Sequence, residues 1–150
     1  MKQLIFPILL AFAAGAFVPI QTGANALLGK NLGSGMLSTL VVFVVATLST
    51  ALFIAFQRPT IPNITQLSAI PLYAWVTGGI LGAAYIYLLI YTAPKLGMAG
   101  VVGFVVSGQL IAAMLFDHFG WMGFEQHSIN WKRFLGALLL ITGVLIIKKY

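Results

Sequence analysis

The chain contains no cysteine, and only two of its 150 residues are acidic, Asp117 and Glu125. Without cysteine there are no disulfides, no thiolate nucleophile and no thiolate metal ligands, although the compartment stays open. Any carboxylate-based proton coupling therefore falls to Asp117, since Glu125 lies in a connection between apolar runs. Charge of either sign is scarce: 7% of residues are charged, where a soluble domain carries about a quarter. What fills the space is hydrocarbon, with 61% hydrophobic residues and a mean hydropathy of +1.04. Such a chain takes the bilayer as its solvent. The net charge of +6 comes from eight basic residues placed singly or in pairs between apolar runs. That spacing fits membrane flanks and not a phosphate-binding patch, so no nucleic-acid partner is expected.

Lys2 followed by "LIFPILLAF" and "AAGA" has the outline of a signal peptide, but the apolar character continues through "FVPIQTGANALL". An uncleaved first span is the better reading. Further runs follow, giving expected spans at about 4–22, 35–56, 71–92, 97–119 and 130–148. The last is short in its strictly apolar part and reaches across only if Lys132, Arg133, Lys148 and Lys149 snorkel. Between the runs stand "GKNLGSG", "QRPTIPNITQ", "APKLG" and "GWMGFEQHSINWK", rich in the residues that end helices. No strand alternation is present, so the expected fold is an all-α integral membrane protein of five transmembrane helices in one domain.

The basic residues do not choose an orientation. With five spans, Lys2, Arg58, Lys132 and Arg133 fall on one side, and Lys30, Lys95, Lys148 and Lys149 on the other. A four-to-four tie under the positive-inside rule predicts insertion both ways and an antiparallel dimer, with itself or with a paralogue. One small bundle encloses little by itself, and paired inverted units place a substrate site near the midplane. Small residues at four-residue spacing, namely Ala11 and Gly15, Gly78 and Gly82, and Gly103 and Ser107, allow close helix approach, either within one copy or between two.

Polar groups inside the apolar runs are the candidate site. Gln21 and Asn25 lie four apart and share a helix face, just after Pro19, which removes an amide donor. They read either as a binding surface or as an inter-helix clamp. In "VVGFVVSGQLIAAMLFDHFG", residues 101–120, Ser107 and Gln109 sit mid-run, and an amide there must face a partner or water. Asp117 and His118 close that run and are the candidates for proton coupling, with a helix cap or a salt bridge to Lys132 or Arg133 as the alternative. Trp75, Tyr85, Tyr87 and Tyr91 are candidate aromatic walls, although interfacial anchoring and ordinary packing account for them better. No metal spacing, nucleotide loop or catalytic constellation appears, so neither an enzyme nor a cofactor is expected.

The stretches "PIQTGANALLGKNLGSGMLSTLVVFVVATL", "WVTGGILGAAYIYLLIYTAPKLGMAGVVGFVVSGQLIAAMLFDHFG" and "RFLGALLLITGVLII" resemble the YdcZ-type five-helix branch of the drug/metabolite transporter superfamily across nearly the whole chain. The resemblance implies a multi-pass bacterial inner-membrane protein, half the size of ten-helix relatives, moving a small molecule as a pair of inverted units. Small multidrug resistance transporters carry a glutamate in the first helix, whereas this chain has only Gln21 and Asn25 there, which disfavours the same antiport chemistry. A dual-topology passive ion channel and a non-transporting assembly subunit are the competing readings.

Overall fold

The computed structural model describes residues 2–123 and 125–150. Among the described residues there are six α-helices: α1 (Lys2–Asn31), α2 (Gly35–Gln57), α3 (Ile64–Ser68), α4 (Leu72–Leu96), α5 (Met98–Phe119) and α6 (Trp131–Lys149). A 3₁₀ turn at Trp121–Gly123 follows α5, and there is no strand among the described residues. Among the described residues four helices, α1, α2, α4 and α5, are long and apolar enough to cross a bilayer. The uncharged stretch of α6, residues 134–147, is 14 residues and so about 21 Å, against a hydrocarbon core of about 30 Å. Length and composition therefore show four spans. The fifth depends on the basic residues at both ends of α6.

Two helices run further than the polar residues in the sequence indicate. α1 continues through Gln21 and Asn25 to Asn31, because amide side chains do not break a helix. What ends it is Gly33, in the left-handed region at φ 65°. The Ser34 N–H reaches back to the Gly29 carbonyl at 3.1 Å and the Gly33 N–H to the Lys30 carbonyl at 3.3 Å, which is the Schellman pattern. Ser34 then caps α2, its hydroxyl accepting from the Leu37 N–H. Likewise α4 passes straight through the "APKLG" segment, with Pro94 inside it, to Leu96. Only Gly97, at φ 74°, separates α4 from α5, a backbone conformation that L side chains rarely adopt. The loop after α2 also holds the short α3, closed by a reciprocal capping box between Asn63 and Gln66.

The chain divides into two compact units, Ile20–Tyr91 and Met1–Pro19 with Thr92–Tyr150. In the first, α1, α2 and α4 meet where side chains are small. A Cβ on Gly29 or Gly35 would lie 3.1 or 3.2 Å from Ile90, and one on Gly82 would lie 3.4 Å from Phe43. The Ser38 hydroxyl donates to the Asn25 carbonyl at 2.8 Å, tying α2 to α1. In the second unit α5 packs on α6. A Cβ on Gly103 would sit 2.6 Å from Val144 Cγ1, so these helices touch backbone to side chain. Gly82 and Gly103, two of the small residues considered for a dimer face, thus pack within the chain. Elsewhere the large apolar side chains point outward, Phe12 at 80% and Phe56 at 78% exposure, the reverse of a water-soluble domain.

Candidate functional site

On α1 the helical pitch places Gln21, Asn25 and Thr22 on one continuous polar stripe. Asn25 falls about 40° around the helix from Gln21 and about 60° from Thr22. Gln21 is exposed, Asn25 half-buried and Thr22 only 1% exposed. Among the described residues no hydrogen bond ends on the amide of Gln21 or Asn25. The clamp between α1 and α2 uses the Asn25 backbone carbonyl, leaving its side chain available. The Thr22 hydroxyl is buried and has no hydrogen-bond partner. Thr22 does not stand out in the sequence, since a threonine in an apolar helix ordinarily bonds the carbonyl one turn back. Its signal was adjacency to Gln21 and Asn25.

The aromatic candidates lie on α4. Tyr87 and Tyr91 stack with ring centroids 6.5 Å apart, and the Tyr87 edge closes over Gly35. Tyr87 therefore packs at the start of α2. Trp75 and Tyr91 are more than half exposed, and Tyr85 somewhat less. An exposed Trp75 in the first turn of α4 fits an interfacial anchor.

In the other unit Ser107 is buried, and its hydroxyl donates to the Gly103 carbonyl at 2.8 Å. Gln109 is exposed, and no hydrogen bond among the described residues ends on its amide. Asp117 pairs with Arg133, Nη2 to Oδ2 at 3.0 Å, joining the end of α5 to the start of α6. Both side chains are one-third exposed. Of the two bases weighed as partners for Asp117, the structure selects Arg133. Its Nη1 donates to the His127 carbonyl, and the His127 N–H donates to the Asp117 carbonyl. His118 works beside it: Nδ1 accepts the Ile129 N–H at 3.2 Å, and its carbonyl accepts from the Gln126 amide at 2.9 Å. Asp117 and His118 thus organise the connection to α6, whose first turn Asn130 caps. An apolar cleft of about 240 Å³ follows this connection between α5 and α6, lined by Ile111, Met114, Ile129 and Phe134 among others. None of the candidate site residues lines it.

The match to known families bears on this arrangement directly. The family model DMT_YdcZ, described as "Putative inner membrane exporter, YdcZ", matches residues 6–146. The chain belongs to the YdcZ family. The resemblance read from the Gln21 to Gly33 and Trp75 to Gly120 segments is thereby established, and with it an inner-membrane, multi-pass location. The family's description as an exporter implies a membrane transporter rather than an enzyme. No curated protein and no solved structure matches the chain.

Proposed function

We propose that this YdcZ-family chain exports a small molecule across the inner membrane as a pair of oppositely inserted copies, by alternating access around a midplane cavity. The observation that carries the reading is the family match over residues 6–146, on a chain with four membrane-crossing helices. In this reading α6 is the fifth span, its basic ends snorkelling to the two interfaces. The tied basic residues then support dual insertion. Gln21 and Asn25 offer the cargo unengaged amides, and Gln109 is a further one. Leaving an amide unpaired in hydrocarbon costs roughly 2–7 kcal/mol, so water, cargo or a second copy meets each of them. Ser107 enters the site as an acceptor while its hydroxyl donates to the Gly103 carbonyl, and donates to the cargo only by releasing that carbonyl. A proton-driven cycle through Asp117 and His118 runs by exchanging the Arg133 ion pair for a proton. Tyr85, Tyr91 and Trp75 supply exposed aromatic surface.

Two experiments test the reading. Single cysteines in the Lys30 and Arg58 turns, on a chain free of native cysteine, are each labelled from outside in about half of the molecules if insertion is dual. Labelling of one site alone refutes the inverted homodimer. Separately, Gln21→Ala and Asn25→Ala are expected to stop export with folding and expression intact, and full flux in both removes the amides from the site. Slow, saturable flux distinguishes this reading from a passive channel, whose conductance is orders of magnitude larger.

A further inference from the structure

Among the described residues four hydroxyl side chains are buried: Thr22, Ser38, Thr39 and Ser107. Three have partners. Ser38 donates across to the Asn25 carbonyl, while Thr39 and Ser107 donate to the carbonyl one turn back, of Gly35 and Gly103. The more exposed Thr47, Thr77 and Thr142 make the same bond one turn back. Thr22 alone of the buried set has none, although it is 1% exposed. A buried hydroxyl without a partner is selected against unless something else uses it. It sits one helical turn from Asn25, on the stripe that carries both unengaged amides.

We propose that Thr22 is a further hydrogen-bonding contact for the cargo beside the two amides of α1, and that the cargo is a small uncharged molecule carrying both a donor and an acceptor. The inference rests on the transport reading above and deepens it. The hydroxyl both gives and takes a hydrogen bond, as does each amide, so the stripe matches a ligand with both functions. No charged residue stands on α1 between Lys2 and Lys30. A charged cargo shedding its water at this point would find no opposite charge on this helix, which is far costlier than for an uncharged polar molecule. Because Thr22 is covered here, the cargo reaches it in a more open conformation of the transport cycle.

The test uses the absence of native cysteine and needs no knowledge of the cargo. Thr22→Cys and Ser38→Cys are made in the full chain in membrane vesicles and treated with N-ethylmaleimide, a small neutral dicarbonyl. The thiolate is the reacting form and does not form in hydrocarbon, so reaction reports water reaching the site. Thr22→Cys is expected to react at least tenfold faster than Ser38→Cys, and a sulfonated maleimide of similar size is expected to react poorly. Equal inertness of the two cysteines overturns the proposal, as does equal reactivity, which means general loosening. Rapid reaction of Thr22→Cys with the sulfonated reagent overturns the uncharged class. Thr22→Val in the purified protein supplies a second readout. Removing an unpartnered hydroxyl should leave Tm unchanged or raise it by about 2–4 °C, whereas Ser38→Ala should lower it. A fall with Thr22→Val matching that of Ser38→Ala makes Thr22 a packing residue and overturns the proposal. Labelling is read without flux, so failure of export in the amide variants and failure of access to Thr22 are separate results.

Discussion

Replacing Gly103 by alanine puts one methyl group into the seam between α5 and α6. The new Cβ would lie 2.6 Å from Val144 Cγ1 and 2.9 Å from Cγ2, roughly 1 Å inside the 3.5–4.0 Å of ordinary carbon contact. Val144 is itself 9% exposed and on a helix, so it has little freedom to turn away. Overpacking of this kind costs about 1–3 kcal/mol, and alanine returns about 1 kcal/mol of helix propensity, for a net loss of about 0–2 kcal/mol. Gly143→Ala is the matched control on α6. Its Cβ meets nothing within 4 Å, so it should stabilise by up to about 1 kcal/mol. Val144→Ala removes both clashing methyls and leaves Val144 Cβ at 3.2 Å, a tight but adjustable distance. The double variant Gly103→Ala, Val144→Ala should therefore recover about 1–2 kcal/mol relative to the sum of the single changes. Reversible unfolding in mixed micelles reads all four proteins. The reasoning fails if Gly103→Ala is as stable as Gly143→Ala, or if the two changes at the seam simply add.

Exchanging the ion pair, Asp117→Arg with Arg133→Asp, should restore most of the stability that either single change loses, about 1 kcal/mol for a pair one-third exposed; unfolding midpoints of the three variants decide it. The Ile129 N–H depends on the unprotonated Nδ1 of His118, so His118→Phe should speed hydrogen exchange at that amide by about tenfold, while His118→Gln, which still offers an acceptor, should not. Exchange that is equally slow in both variants removes His118 from the connection. Gly33→Ala should cost about 1 kcal/mol, because only glycine adopts φ 65° freely at the end of α1, and a thermal midpoint equal to that of the unaltered chain would show the turn to be set elsewhere.

Much of this protein was readable from its sequence because the bilayer imposes one rule on every residue at once. Backbone groups in hydrocarbon must bond within their own helix, so long uncharged runs determine helices, their number within one, and the membrane location. The same residues carry the family, since "PIQTGANALLGK" and "GQLIAAMLFDHFG" are continuous stretches that need no fold to be compared. Helix ends were less legible. α1 passes Gln21 and Asn25, and α4 passes Pro94, because a helix is stopped by a backbone conformation such as that of Gly33 or Gly97 and not by polarity alone. Tertiary structure decided which polar groups are already engaged. Ser107 and Thr22 look alike in sequence, one hydroxyl each in an apolar run, yet Ser107 is satisfied by Gly103 and Thr22 by nothing. Asp117 had two basic neighbours of equal standing along the chain, and only the approach of α6 to the end of α5 assigned it to Arg133. Hydrogen bonding depends on distances of about 3 Å between particular atoms, whether one turn apart as in Ser107 and Gly103 or on different helices as in Asp117 and Arg133, and composition and periodicity do not contain them.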